Sequence, residues 1–416
     1  MQRIKEKFYK LLHWSEKYTK TDMVYLTHGG FWLTLGQIVS SISSFLLAIA
    51  FANLLPRETF GVYKYILSVC GILAIPTLGG INTAVTQAVA RGYEGSLVPA
   101  LKTKIKWGLL GGLASLILAG YYYFQGNIIL TISFLVAAIF LPLMDPFGIY
   151  DSLLQGRKLF NISSKYVIIS QIISVIALII TIFLTKNIFL VLLAYFLSWT
   201  LLRFIFWKIT LKKFPPNQNQ GLKTISYGKH LSLIGVINAI ALYLDRLLLF
   251  HFFGAIEVAI YSFAIAPPEQ IKIFFKNISS LALPKFSERK KEDLKKTMFH
   301  KVFVLGIIIT LVVFVYLLLA PLVYKIFFPK YIESIFYSQI YAISIIAITL
   351  LYLPFSALQA QVATKELYFL NFWNSLVQII LLIIFIYFWG ILGAVISRVI
   401  SRFLNLIFSF ILLKRI

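Results

Sequence analysis

The residues most able to do chemistry are charged side chains embedded in long apolar runs. Arg246 follows Asp245 in the run YLDRLLLF, Lys64 lies in another run, and Arg398 and Arg402 are four residues apart, on one helix face. A charge inside hydrocarbon costs roughly several kcal/mol, so such side chains face a bundle interior or an aqueous cavity. These cations are candidates for binding an anionic ligand. The alternative is that they form structural ion pairs or extend toward lipid headgroups.

Other polar side chains in apolar runs extend this set. Asn238 lies one heptad before Asp245, and Gln37 begins a stripe of polar residues at helical spacing. Lys272 follows Glu269 by three residues, where simple pairing is the alternative. We predict substrate contacts at Arg246, Arg398, Arg402, Lys64, Lys272, Asn238 and Gln37. The carboxylates well inside the runs, which are candidates for coupling to protons or sodium ions, are Asp145, Asp245 and Glu269.

The motifs of common enzyme classes are missing from the sequence. It contains no nucleophile elbow, no glycine-rich phosphate loop and no zinc-ligand cluster. Cys70 is the only cysteine, which excludes an intramolecular disulfide and a metal site built on thiolates. We therefore predict no catalytic residue, no metal and no cofactor, and a transport function. A membrane-embedded glycan polymerase or ligase is the enzymatic alternative.

Helices that cross a membrane must position these residues. Of the 416 residues, 60% are hydrophobic and 13% are charged, against about 25% charged in soluble chains. A hydrocarbon core of about 30 Å requires about 20 apolar residues per helix. The apolar runs predict an all-α integral membrane protein with about twelve transmembrane helices, at 28–54, 60–82, 105–124, 127–150, 162–185, 187–209, 226–252, 256–283, 299–327, 335–363, 366–389 and 392–413.

The positive charge is arranged by side of the membrane. In this map 29 of the 39 Lys and Arg residues lie in or beside the segments on the side of both termini, and 4 lie opposite. The positive-inside rule then predicts cytoplasmic termini. Residues 1–27 predict a basic amphipathic helix on the cytoplasmic membrane surface. The formal net charge of +24 thus indicates anionic lipid headgroups rather than nucleic acid as partner.

The chain also contains an internal repeat. LLPRETFGVYKY resembles FFGAIEVAIYSF, PFGIYDSLLQGRKLF resembles PFSALQAQVATKELY, and SWTLLRF resembles SRVISRF, in the same order in each half. Because each half has an even number of spans, an axis along the membrane normal would relate the two. We predict two pseudo-symmetric six-helix lobes around a central cleft, an N-lobe at 28–210 and a C-lobe at 226–416, joined by a cytoplasmic linker at 211–225.

Across nearly its whole length the chain resembles the Wzx-type polysaccharide flippases. The motifs that carry the resemblance are LLPRETFGVYKYI, PFGIYDSLLQGRKLF and LDRLLLFHFFGAIEVAIYSFA. This O-antigen-translocase-like branch belongs to the multidrug/oligosaccharidyl-lipid/polysaccharide (MOP) exporter superfamily, which has the MATE-like fold. The resemblance implies a bacterial inner-membrane protein that moves an undecaprenyl-pyrophosphate-linked oligosaccharide, an O-antigen or capsule repeat unit, to the outer leaflet by alternating access. It also implies that Arg246 contacts the pyrophosphate, with Arg398 and Arg402 as further candidates.

Two relatives within the superfamily are the alternatives. Multidrug exporters bind organic cations and are expected to carry acidic residues in the N-lobe cavity, whereas the first span here has no acid. The lipid II flippase branch usually has two additional spans, for which this chain has no room. The flippase interpretation further implies membrane lipids and the glycan polymerase machinery of lipopolysaccharide assembly as partners, with the membrane potential or an ion gradient as the energy source.

Overall fold

The computed structural model describes residues 23–287, 291–361 and 363–415. The predicted amphipathic helix at 1–27 lies largely outside these residues. Long helices make up nearly all of the described chain. They are α1 (Met23–Leu54), α2 (Arg57–Leu73), α3 (Gly80–Ala90), α4 (Leu97–Phe124), α5 (Ile128–Phe147), α6 (Tyr150–Gly156), α7 (Phe160–Leu184), α8 (Ile188–Lys213), α9 (Thr224–Phe253), α10 (Ala255–Ser287), α11 (Lys291–Phe327), α12 (Ser334–Ala360) and α13 (Thr364–Arg415).

The described helices account for the twelve predicted crossings. Nine helices are long and apolar enough to span a bilayer, and α2 with the segment Ile75–Ala90 forms a further, bent span. The 52 residues of α13 contain two spans that meet at Gly390, where φ is 53° and ψ is −127°. Helix α10, of 33 residues, is long enough for one further crossing. The all-α membrane fold of two six-helix lobes, α1–α8 and α9–α13, is therefore confirmed.

The second span is broken, whereas the sequence predicts one continuous helix at 60–82. Helix α2 ends at Leu73, a 3₁₀ turn follows at Ile75–Thr77, and the direction of the chain changes by 43°. Pro76 lies in this turn and has no backbone N–H to continue the helix. Leu78 then adopts a left-handed conformation with φ of 57° before α3 begins. The break places α3 at a different angle from α2, against the start of α9.

The two lobes meet where α2 and α3 pack against α9 and α10. A Cβ atom added at Gly61 would lie 1.7 Å from the carbonyl oxygen of Ala255, so only glycine permits this approach. Near the opposite end of the same seam, a Cβ on Gly228 would lie 2.8 Å from the Cα of Ile81. Backbones this close leave no space for a side chain between the helices. The seam between the lobes is thus closed at both ends of the second span.

The linker between the lobes, between the end of α8 and the start of α9, is bound to N-lobe loops. Arg157 donates two hydrogen bonds of 2.6 Å to the carboxylate of Glu94 and one of 2.8 Å to the carbonyl of Pro215 in the linker. The backbone N–H of Asn217 donates to Glu94 at 2.9 Å. The bonds from Arg157 hold the pKa of Glu94 below its usual value. A charged pair outside the membrane spans therefore fixes the linker on the N-lobe.

Candidate functional site

One face of α2 presents a lysine to the opposite lobe. Gly61, Lys64 and Gly71 fall at helical positions that share a face. Gly61 packs on Ala255, and a Cβ on Gly71 would lie 2.4 Å from the ring of Tyr243, so this face is directed at the C-lobe. Lys64 is half-buried between these two contacts, and its ammonium lies 5.3 Å from the centre of the Phe60 ring.

The facing surface of α9 carries Arg246. This arginine follows Tyr243 by three residues and precedes Phe250 by four, so the three side chains share a face. Tyr243 meets Gly71 of α2, and Phe250 stacks on Tyr65 with ring centroids 3.7 Å apart. Contacts to α2 on either side of Arg246 therefore place it at the seam between the lobes.

Lys64 and Arg246 form a cationic pair, one residue from each lobe, which we call the seam pair. Their positive charges interact electrostatically. Neither side chain forms a salt bridge with the described residues, and Nε of Arg246 is buried without a hydrogen-bond partner among them. Asp245 precedes Arg246 and accepts a hydrogen bond from the backbone N–H of Arg246, but the Arg246 guanidinium forms no salt bridge with it. The seam pair therefore offers two positive charges to an anionic ligand.

Arg398 is paired, in contrast to the seam cations. Its guanidinium donates to Asp245 Oδ2 at 2.6 Å and to the carbonyl of Leu242 at 3.1 Å. Tyr261 donates to the same carboxylate oxygen at 2.6 Å, while the backbone N–H of Arg246 donates to the other at 2.8 Å. Asp245 is completely buried. This network ties α9 to α10 and to the second arm of α13.

Arg402 belongs to a second C-lobe network one helical turn away. It donates to Glu269 Oε1 at 2.6 Å, and Tyr341 donates to the same oxygen at 2.6 Å. Arg402 also donates to Ser344 at 2.9 Å, and Lys272 pairs with Glu269. The charges of Arg402 and Lys272 are therefore shared with a carboxylate.

The N-lobe contains a comparable network at the break after α2. Lys104, which has no exposed surface, lies 2.9 Å from the carboxylate of Asp145 and donates to Asn82 at 2.7 Å. The Thr77 hydroxyl in the 3₁₀ turn donates to Asp145 at 2.9 Å. Arg203 approaches the same region and donates to a backbone carbonyl of α5 at 2.8 Å. The network connects α4 and α5 to the bend in the second span.

The three predicted coupling carboxylates, Asp145, Asp245 and Glu269, are thus each held by a lysine or arginine. An ion-coupling role for them stays a prediction. Among the described residues there is no group of three or more His, Cys, Asp and Glu side chains that could hold a metal ion. The ion pairs assign these carboxylates a structural part in joining helices.

Asn238 and Gln37 are not brought to the seam pair by any contact. Asn238 is exposed on α9 and Gln37 is partly exposed on α1. Neither hydrogen-bonds to the described part of the chain. Their predicted substrate contacts stay predictions.

Sequence reasoning missed Lys104, Arg203 and the tyrosine donors. Lys104 was assigned to the loop before a span starting at 105, whereas α4 begins at Leu97. A signal was available, since Lys104 is in helical register with Gly108, Gly111 and Ser115 on the face of α4 that packs against other helices. A lysine aligned with small buried residues indicates an inward position. Tyr261 and Tyr341 gave no such signal, because buried tyrosines are common in apolar helices.

Comparison with known proteins agrees with this architecture. The pattern of the family described as "Polysaccharide biosynthesis protein" matches residues 26–290. An uncharacterized membrane protein of Methanocaldococcus jannaschii is 23% identical over 427 aligned positions, covering 92% of this chain and 83% of the relative. The chain is therefore similar to an archaeal membrane protein along almost its full length.

Solved structures with a similar fold are transporters and a flippase. The lipid II flippase MurJ in its inward closed conformation has a TM-score of 0.67 and 15% identity, covering 92% of this chain and 87% of MurJ. A MATE in complex with MaD5 has a TM-score of 0.64 and 16% identity, covering 94% and 95%. Identities this low establish the shared fold alone. Because the family pattern covers more than half of the chain, the protein belongs to the polysaccharide biosynthesis protein family, as a multi-pass membrane protein with the fold of MATE and MurJ.

Proposed function

We propose that this protein is a flippase that translocates an undecaprenyl-pyrophosphate-linked oligosaccharide, of the Wzx type, by alternating access. The observation that carries the proposal is the seam pair. Lys64 on α2 and Arg246 on α9 present positive charges from opposite lobes, with no salt bridge to the described residues. A pyrophosphate spreads its negative charge over several oxygens, so two separate cations can bind it at once.

The contrast with the other intramembrane arginines supports this assignment. Arg398 and Arg402 each lie 2.6 Å from a carboxylate oxygen, which leaves less of their charge for a ligand. An organic cation would be repelled by the seam pair, so drug export of that class is disfavoured. The fold, which is that of the flippase MurJ and of a MATE family transporter, favours transport over an enzymatic role as a glycan polymerase or ligase.

The direction of transport follows from the charge of the substrate. An inside-negative potential favours outward movement of an anion by about 2.3 kcal/mol per charge per 100 mV. A cation from each lobe can hold the pyrophosphate while the cleft faces the cytoplasm and release it when the lobes separate. The proposal needs no ATP, and it leaves ion coupling through Asp145, Asp245 and Glu269 as an additional hypothesis.

The same proposal implies a cellular location, a substrate and partners for the protein. We place it in a bacterial inner membrane with both termini in the cytoplasm, where the basic segments meet anionic lipid headgroups. Its substrate would be an O-antigen or capsule repeat unit, and its partners would include the glycan polymerase machinery of lipopolysaccharide or capsule assembly.

The test compares cells with and without the protein, in a strain that makes the lipid-linked repeat unit. Without the protein, the repeat unit should accumulate on the cytoplasmic leaflet and surface glycan should disappear. Arg246→Ala and Lys64→Ala should each lower export about tenfold or more while the protein stays inserted, and Arg246→Lys should restore part of the activity. Lys186→Ala removes an exposed charge in the 185–187 loop and should leave export unchanged.

Other outcomes would change the proposed function. Normal export by both alanine variants would remove the seam pair from the mechanism. Arrival of the repeat unit in the outer leaflet without the protein would refute the flippase proposal. In that case altered drug sensitivity would indicate an exporter, and altered glycan linkage would indicate an enzyme.

A further inference from the structure

An open apolar groove runs along the lipid-exposed side of α11, around the middle of the helix. Its volume is about 680 Å³, within the range of about 300–1,000 Å³ typical of small-molecule sites. Thr310 is the only polar residue among those that line it. The lining residues are Phe299, Val302, Phe303, Gly306, Ile307, Thr310, Leu311 and Phe314 of α11, Leu350 of α12 and Phe410 of α13.

The groove exists because a side chain is missing from its floor. A Cβ added at Gly306 would meet only the Leu350 side chain, at 3.8 Å, so the position is open toward the groove. Val302 and Thr310, one turn away on either side, continue the floor with small side chains. Large side chains form the wall, with Phe303 58% exposed and Leu311 63% exposed. An extended apolar chain can therefore lie between these side chains, against the floor at Gly306.

The groove is long enough for an acyl chain. Its lining residues on α11 run from Phe299 to Phe314, over which a helix rises about 22 Å, while half of a hydrocarbon core is about 15 Å. Because the apolar span of α11 is Thr297–Phe327, the groove extends from the end nearest Lys291 to the middle of the span. A single extended acyl chain from that leaflet can lie along it.

The end of the groove nearest Lys291 is basic. Lys291 is exposed at the start of α11, and His300 is exposed beside Phe299. Lys301 lies over the ring of Phe286 of α10, 4.7 Å from its centre, at the level where the groove begins. Each lysine at the headgroup level attracts anionic lipids by about 1 kcal/mol. The occupant is thus selected by headgroup as well as by its chain.

We propose that this groove is a binding site for one anionic phospholipid, which inserts an acyl chain between α11, α12 and the second arm of α13. The site is distinct from the seam pair, because neither α2 nor α9 lines the groove. Its occupant is therefore a resident lipid and not the tail of a substrate whose headgroup is bound at the seam. The proposal is independent of the flippase proposal.

The test uses the full-length protein in nanodiscs that contain phosphatidylglycerol with a photoreactive diazirine in its acyl chain. After illumination, mass spectrometry maps the labelled peptides. The lining residues of α11 should carry at least about fivefold more label than the exposed face of α4 around Leu113 and Ile117, which faces lipid without a groove. Gly306→Leu fills the floor and should abolish that excess. Gly120→Leu, at another helical glycine with no neighbour within 4 Å, should retain it.

The alternatives give different patterns. Equal labelling of α11 and α4, or unchanged labelling in Gly306→Leu, would overturn the proposed site. Equal labelling by a phosphatidylcholine probe would overturn the selection for an anionic headgroup. Displacement of the phosphatidylglycerol label by a stoichiometric amount of polyprenyl phosphate would overturn the resident-lipid assignment in favour of a substrate tail.

Discussion

Replacing Arg398 with methionine would leave the carboxylate of Asp245 buried and without its cationic partner. In the folded chain Asp245 is fully buried, Arg398 is 9% exposed, and the two are 2.6 Å apart. The Tyr261 hydroxyl would remain as a donor at 2.6 Å, but a neutral donor compensates a buried charge only in part. Removing one partner of such a pair costs roughly 3–5 kcal/mol. We expect Arg398→Met to lose that amount of unfolding free energy.

Removing both charges should cost less than removing either one. In the double variant Asp245→Asn/Arg398→Met, the asparagine oxygen can still accept the Tyr261 hydroxyl bond, and no charge is left unpaired. Neutral replacement of a buried ion pair is often close to neutral, so we expect a loss below about 2 kcal/mol. Asp245→Asn alone should lose roughly 3–5 kcal/mol, because Arg398 then keeps an uncompensated charge.

The assay is unfolding in mixed micelles with increasing SDS, with the free energies of all four proteins compared as a double-mutant cycle. Equal losses in Arg398→Met and in the double variant would refute the ion-pair argument. The cost would then come from the bonds that Arg398 donates to backbone carbonyls of α9. Export by the double variant separates the two roles of Arg398. A stable variant that exports normally has lost only a structural pair, and a stable but inactive one has lost either a substrate contact of Arg398 or ion coupling through Asp245.

Three further predictions concern charges elsewhere in the chain. Lys104→Met should lose roughly 1.5–3 kcal/mol in the same SDS assay, because Asp145, whose side chain is 35% exposed, loses its charged partner at 2.9 Å, and a loss below about 1 kcal/mol would contradict this. Arg157 lowers the pKa of Glu94 in the folded protein. The stability that ionised Glu94 adds is therefore present above its unfolded pKa of about 4.3 and is lost as the pH falls through its lower folded pKa. The stability difference between wild type and Glu94→Gln should therefore be constant near pH 7 and shrink below about pH 4, and a pH-independent difference would contradict this. Arg57 and Glu333 form an exposed ion pair between the lobes, 3.1 Å apart. Arg57→Glu should therefore change the unfolding free energy by less than about 1 kcal/mol, but it should increase the accessibility of cysteines placed in the cleft. Adding Glu333→Arg restores a pair of opposite charges and should reverse that increase.

The seam between the lobes could be recognised only in part from the sequence. Lys64 and Arg246 were both identified as cations within apolar runs, because a charge in hydrocarbon stands out by residue type alone. Whether such a cation is paired depends on side chains from distant segments. Arg398 pairs with a carboxylate 153 residues away in the sequence. The sequence pattern alone does not distinguish Arg398 from Arg246, because both are arginines within apolar runs.

The spans themselves were determined by the sequence. Hydrophobic length sets where a chain can cross a bilayer, and the alternation of basic segments sets the number of crossings, so the all-α fold with about twelve helices followed directly. The structure agrees with this, including the pair of spans that meet at Gly390. The break after Leu73 did not follow, because Pro76 alone predicts a bend without its angle or its partners.

Only the tertiary structure decided which of the intramembrane cations remain unpaired and can bind an anionic ligand. Hydropathy depends on local composition, and it cannot tell that Lys104 is completely buried against Asp145 or that Nε of Arg246 has no hydrogen-bond partner among the described residues. Those facts depend on where helices separated by tens to hundreds of residues meet. The sequence by itself determined a two-lobed membrane protein with cations inside its spans. Packing of α2 against α9 decided that Lys64 and Arg246 are the two that face each other across the lobes.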